Sequence, residues 1–151
     1  MGDRTIHWTQ ALSVGIPALD DDHKTLIDML GRIFAVCRAE GNHVQLSLLI
    51  DKMLDHVHHH FDHEEEIMAD ARYPDLHRHL DEHAKLFIQL SEVLHAIRND
   101  PAHGANEDIR AFLRTMLFNH IEHDDRRCAD YIRDAASAPK RGDAAHTRFQ
   151  T

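Results

Sequence analysis

Histidines and carboxylates recur one helical turn apart among apolar residues in this chain, and these are side chains that ligate transition metals. In His60-Phe61-Asp62-His63-Glu64, His60 and Glu64 fall four residues apart on one helical face. His79 and His83 repeat that spacing, and His23 follows three successive aspartates, Asp20 to Asp22. His120 and Asp125 are five apart, a rotation of about 140° past a full turn at about 100° per residue. That offset is awkward for two ligands of one ion but workable for two ions. Burying five imidazoles and two carboxylates with no metal would cost on the order of several kcal/mol in unpaired polar groups.

Suppose that Glu64 and Asp125 both bridge two metals, with an oxide or hydroxide as a third bridge. His79, His83 and His120 then complete six-coordination at one metal. His23 and His60 leave the other five-coordinate, with one vacant position. Imidazole and carboxylate ligands suit iron, and an open position marks a reactive site rather than a structural one.

The elements that must hold these residues read as four helices. The first follows an N-cap and acidic first turn at Asp20 to Asp22 and runs to about Glu40, with Leu26, Ile27, Leu30, Ile33 and Phe34 at helical spacing. Gly41 and Asn42 are expected to end it. The second spans about Gln45 to Arg72, and a Tyr73-Pro74-Asp75 turn leads to a third from about Leu76 to Arg98. After breakers at Asn99, Asp100, Pro101 and Gly104, a fourth runs from about Asn106 to Ala135 on Ile109, Phe112, Leu113, Met116, Leu117, Ile121 and Ile132. No segment alternates as a strand would. The expectation is an all-α, antiparallel up-down-up-down four-helix bundle (residues 20–136) with an extended N-terminal arm (1–19) and a polar tail (137–151).

Composition narrows the function. The chain has 151 residues and a formal net charge of -9, which argues against nucleic acid as a partner. No apolar run is long enough for membrane insertion, and the first residues lack the apolar core of a signal peptide. Two cysteines, Cys37 and Cys128, are too few for a disulfide framework, so a cytoplasmic setting is expected. The count that stands apart is 16 histidines.

Taken together, the motifs resemble the hemerythrin family, in particular its bacterial single-domain members. The matching pieces are Trp8, Gly15 to His23 with Asp20, His60-Phe61-x-x-Glu64-Glu65, Met68, Tyr73-Pro74, His79-x-x-x-His83 and His120-Ile121-x-x-x-Asp125, over about residues 8 to 132. The resemblance implies a bundle with a non-haem di-iron centre whose ligands are His23, His60, Glu64, His79, His83, His120 and Asp125. The irons would be bridged by oxide or hydroxide, Glu64 and Asp125. It implies reversible O2 binding without turnover, the O2 held as hydroperoxide on the five-coordinate iron, and a monomer. A protein receiving the O2 is not identified by the sequence. The family usually places Trp one turn before the fourth-helix histidine; here Met116 stands there and is expected to line a roomier O2 pocket. Cys128 falls where a Tyr or aliphatic residue is expected, and reads as a small buried hydrophobe.

Two other classes compete: an O2 or redox sensor signalling to a partner, and a di-iron oxidase or peroxidase, weak activity of that kind being compatible with Met116. A ferritin-like oxidase needs Glu-x-x-His on two helices, whereas Glu92/His95 occurs on one. A zinc hydrolase would need His-Glu-x-x-His, which is absent. Of the remaining histidines, His59 and His63 read as a pair pointing away from His60, and His56 as an interior residue with a polar partner. His7, His43, His77, His95, His103, His123 and His146 read as surface residues, and Glu65 and Glu66 as solvated carboxylates.

Overall fold

A computed structural model describes residues 6–39 and 43–137. The helices are α1 (Pro17–Arg38), α2 (His43–Asp70), α3 (Leu76–Asn99), the single turn α4 (Ala102–Ala105), α5 (Glu107–Asn119) and α6 (Arg126–Ser137), with a π-helical segment (His120–Asp125) joining α5 to α6. No strand occurs among the described residues. The chain is an all-α bundle of four rods, the last built from α5, the π segment and α6. No helix among the described residues is long and apolar enough to cross a membrane. The expected helix end at Glu40 to Asn42 and the tail beyond Ser137 fall outside the described residues.

Each rod buries one stripe. Leu26, Ile27, Leu30, Ile33 and Phe34 of α1 meet Leu46, Ile50, Met53 and Val57 of α2, and Leu90, Leu94 and Ile97 of α3 close the same core. Phe112, expected on the apolar face of the fourth rod, is 49% exposed; Leu113 beside it takes the core position.

The first helix begins three residues earlier than the aspartate run suggested. Pro17 occupies its first turn, where a missing N–H costs nothing, and Ile16 caps it without a side-chain hydrogen bond. Asp20 is therefore not the N-cap. Its carboxylate accepts from the Val14 N–H at 2.9 Å and the Ser13 hydroxyl at 2.5 Å, and so braces the preceding arm. That arm buries Ile6, Leu12 and Val14, and it turns at Gly15, whose φ of +79° lies in the left-handed region that favours glycine. Arg126, the first residue of α6, donates to the carbonyls of Ala11 and Ser13.

α2 ends with Arg72 in the left-handed region, φ +55°. The Tyr73 N–H bonds back to Met68 and the Arg72 N–H to Ala69, the pairing that satisfies a helix's last carbonyls. Tyr73 and Met68 then pack together with Cys128 in a small second core. α5 starts from Asn106, whose side chain accepts from the Asp108 and Ile109 N–H groups.

Candidate metal centre

Seven side chains converge between the rods: His23 from α1, His60 and Glu64 from α2, His79 and His83 from α3, and His120 and Asp125 from the two ends of the π segment. All are buried. One ligand atom from each of Glu64, His79, His83, His120 and Asp125 lies within 4.8 Å of the others, and the same holds for His23, His60, Glu64 and Asp125. The two carboxylates belong to both groups, and they divide their oxygens between them. Glu64 Oε1 lies 2.6 Å from His79 Nε2 and 3.1 Å from His83 Nε2, while Oε2 faces His60 Nε2 at 3.5 Å. Asp125 Oδ1 lies 3.0 Å from His120 Nε2 and 3.3 Å from His79 Nε2, while Oδ2 faces His23 Nε2 at 2.9 Å.

The five-residue spacing of His120 and Asp125 is resolved by the π segment. Its i→i+5 hydrogen bonds widen the turn to a little over four residues, so residues five apart return to nearly the same face. The expected misalignment, calculated for a regular α-helix, does not arise.

Three further carboxylates stand behind the imidazoles. The Nδ1–H of His60 donates to Asp22 Oδ2 at 2.9 Å, that of His83 to Glu65 Oε2 at 2.8 Å, and His120 Nδ1 lies 3.2 Å from Asp124 Oδ2. A carboxylate on Nδ1 fixes the tautomer and leaves the Nε2 lone pair aimed inward. Burial alone would raise the Asp22 carboxyl, but bonds from His60 and His63 outweigh it and lower it to about 2. Phe61 stacks on the His83 ring, centroids 3.8 Å apart and planes 6° from parallel, which locks that imidazole further.

Whether these residues suit metal can be judged from their unmet needs. Among the described residues, buried atoms lacking a hydrogen bond include both ring nitrogens of His23, His60 Nε2, His120 Nε2, Glu64 Oε2 and both oxygens of Asp125. Each such group costs roughly 1–3 kcal/mol. They approach one another closely without hydrogen-bond alignment, as lone pairs aimed at shared points do. Charge tells the same story. Burial, reinforced by the Asp125 charge, raises the Glu64 carboxyl, whereas Asp125 is held well below its usual range, against burial, by His120, His23 and His79. Burial would depress His79, but Asp125 and Glu64 override it and lift the imidazole to about 9; His83 is held by burial at about 4. Protons balance the charges of this core, and cations would take their place. The donors present, imidazole nitrogen and carboxylate oxygen, fit iron.

One side of the centre opens on a small apolar cavity of about 20 Å³, lined by His23, His60, His120 and Asp125 at its base and by Leu26, Leu86, Leu113, Met116 and Leu117 among its walls. Met116 stands on the wall of this cavity.

All seven candidate donors come together. The sequence reading missed the outer carboxylates. Glu65 is half-buried against His83 rather than solvated, and His63 does not simply point away, since its Nδ1 lies 3.2 Å from Asp22 Oδ2. His56 has no polar partner for its buried Nε2. His59 is exposed, as are His7, His43, His77, His95, His103 and His123; His146 lies outside the described residues. Cys128 is fully buried.

Comparison with known proteins agrees with this geometry. The family model of the hemerythrin HHE cation binding domain matches residues 14–132. A bacteriohemerythrin of Methylococcus capsulatus is 32% identical over 123 residues, covering 79% of this chain and 90% of that protein. One from Stenotrophomonas maltophilia is 29% identical over 126 residues, covering 83% and 80% respectively. A crystal structure of wild-type hemerythrin superimposes with a TM-score of 0.69 at 29% identity, over 83% of this chain and 95% of that one. With two carboxylates shared between two groups of imidazoles and a family match across most of its length, this chain belongs to the hemerythrin family.

Proposed function

We propose that the two groups of donors hold a pair of iron ions, bridged by oxide or hydroxide together with Glu64 and Asp125, and that the chain binds O2 reversibly beside them for carriage, storage or delivery. The observation that carries this reading is the division of each carboxylate between two imidazole groups of unequal size. Three imidazoles, His79, His83 and His120, serve one group; two, His23 and His60, serve the other. The poorer group faces the apolar cavity. When bound, two ferrous ions supply the two electrons that a captured O2 borrows and returns.

The chain's own residues supply the rest. Asp22, Glu65 and Asp124 hold three imidazoles in one tautomer and orientation. Leu86, Leu113, Met116 and Leu117 keep water from the poorer group while admitting a small apolar molecule. No free acid or base stands in that cavity apart from the donors themselves, which favours binding over turnover. A reducing cytoplasm suits the two unpaired cysteines, Cys37 and Cys128.

Metal analysis and absorption spectra on one anaerobic, iron-loaded sample test the proposal. Two irons per chain are expected, with a charge-transfer band that appears on aeration and vanishes when O2 is removed. Direct conversion to the diferric state, with no oxygenated form, would favour an oxidase or a redox sensor instead.

A further inference from the structure

A second, polar pocket meets the centre from a different side. Asp75 comes from the turn between α2 and α3, Arg78, His79 and Glu82 from the first turns of α3, Asp124 from the π segment and Arg127 from α6. Residues 75, 78, 79 and 82 follow the i, i+3, i+4, i+7 pattern of one helix face. The cavity is small, about 10 Å³, room for about one water. Its inner wall is His79, whose Nε2 lies 2.6 Å from Glu64 Oε1 and 3.3 Å from Asp125 Oδ1. A second wall is Asp124, 3.2 Å from His120 Nδ1. The outer residues Asp75, Arg78 and Arg127 are exposed and Glu82 is half-buried, so the pocket runs from solvent to a residue of the centre.

We infer that this pocket is the port through which ferrous ions enter and leave the centre, an inference that rests on the iron-binding reading above. A divalent cation arrives hydrated. The apolar walls of the first cavity offer nothing in exchange for its waters until the donors at the base are reached, so passage there carries most of the cost of desolvation. Along the polar pocket, carboxylate oxygens of Asp75 and Glu82 can replace those waters one at a time before His79 is reached. Three carboxylates stand against two guanidinium groups and the His79 imidazole, so the lining offers a cation oxygen ligands without a surplus of negative charge that would trap it. The two cavities thus divide the traffic: uncharged gas on the apolar side, ions on the polar side.

The test is the release of ferrous iron from the reduced, loaded protein to excess ferrous chelator under anaerobic conditions, paired with an equilibrium competition titration. The double variant Asp75→Asn/Glu82→Gln should release iron roughly tenfold more slowly, as a barrier higher by about 1.4 kcal/mol would give, with two irons still bound and equilibrium affinity unchanged. A port alters passage in both directions equally; a ligand alters affinity. The exposed double variant Glu92→Gln/Asp134→Asn makes the same charge change elsewhere and should release iron at the wild-type rate. Unchanged release from the first variant, equal slowing in the second, or slowing that tracks a change in affinity would each overturn the inference. A wild-type protein that takes up no iron would instead overturn the reading of the centre itself.

Discussion

The Nδ1 of His83, on α3, lies 2.8 Å from Oε2 of Glu65, on α2, so the residue next to Glu64, a carboxylate shared by both donor groups, orients an imidazole of another helix. Adjacent residues on a helix diverge by about 100°, and here that divergence is used. Glu64 points into the centre while Glu65 reaches around the His83 ring to its outer nitrogen. Phe61, one turn earlier, covers the face of the same ring.

A series on α2 separates these roles. Glu64→Ala removes an oxygen donor from both groups and should lose both irons. Glu65→Ala leaves every donor in place but frees His83 to rotate, and should weaken iron binding about 10- to 100-fold. His59→Ala, at an exposed position, should change nothing. Chelator competition followed by metal analysis ranks the three; equal retention would show that the assignment of faces on α2 is wrong.

The π segment makes a prediction about length rather than chemistry. Deleting Glu122, which is exposed, should convert the segment to regular α-helix with His120 and Asp125 four apart, still on one face, and α6 in its original register. Two irons should remain bound. Inserting an alanine after Glu122 rotates α6 by about 100° and carries Asp125 away from the centre, so iron should be lost. Metal content of the two purified variants decides; the reverse ranking would mean that the π turn is not what sets the register.

How much of this was legible in the sequence follows from the same elements. The donors were readable because two of the pairs, His60/Glu64 and His79/His83, recur at a helical spacing among apolar residues, and few other functions need five buried imidazoles. The π turn left one trace, the spacing of five between His120 and Asp125, which sequence alone explains by two ions on a regular helix rather than by an irregular turn. Asp22, Glu65 and Asp124 were not legible because a charged residue beside a buried one looks solvated until the neighbouring helix is placed. The start of α1 was misjudged because Asp20 to Asp22 resemble a cap; Pro17 was the better marker, and Asp20 instead serves the arm that precedes it. Phe112 shows the limit of periodicity, which marks a face but not its edge.

Met116 lines the cavity beside the poorer group of donors, so its size should set how readily water enters. Met116→Ala should speed the decay of the oxygenated form several-fold, whereas Met116→Leu, nearly equal in volume, should leave it close to wild type. The decay of the charge-transfer band measures both. An unaltered rate in the alanine variant would place the gas elsewhere.

The cysteines, which are not among the seven donors, give a pH-dependent expectation of their own. Burial, only partly offset by the Arg110 charge, pushes the Cys37 thiol from its ordinary 9.0 up to about 11. Burial, with the charges of Glu64 and Asp125, pushes Cys128 higher still. Neither thiol should react with iodoacetamide in the native protein at about pH 8, because the thiolate is the nucleophile. Both should react on unfolding. Since the folded value of Cys37 is raised, its contribution to stability is complete below pH 9 and is lost as the pH climbs through 11. Mass spectrometry of alkylated protein across this range checks it; rapid labelling of native Cys37 at neutral pH would contradict the upward shift of its thiol.

In a bundle of consecutive rods, loops tie each rod to the next, and the first and last are the one neighbouring pair with no covalent tie. Here the leading segment makes up for that gap. Held by Asp20 at the start of the first rod and by Arg126 at the middle of the last, it closes the ring of rods. The closure falls within three residues of His23 on one side and next to Asp125 on the other, the pair facing each other at 2.9 Å. The stretch of chain that carries none of the seven donors therefore sets how far apart two of them can drift.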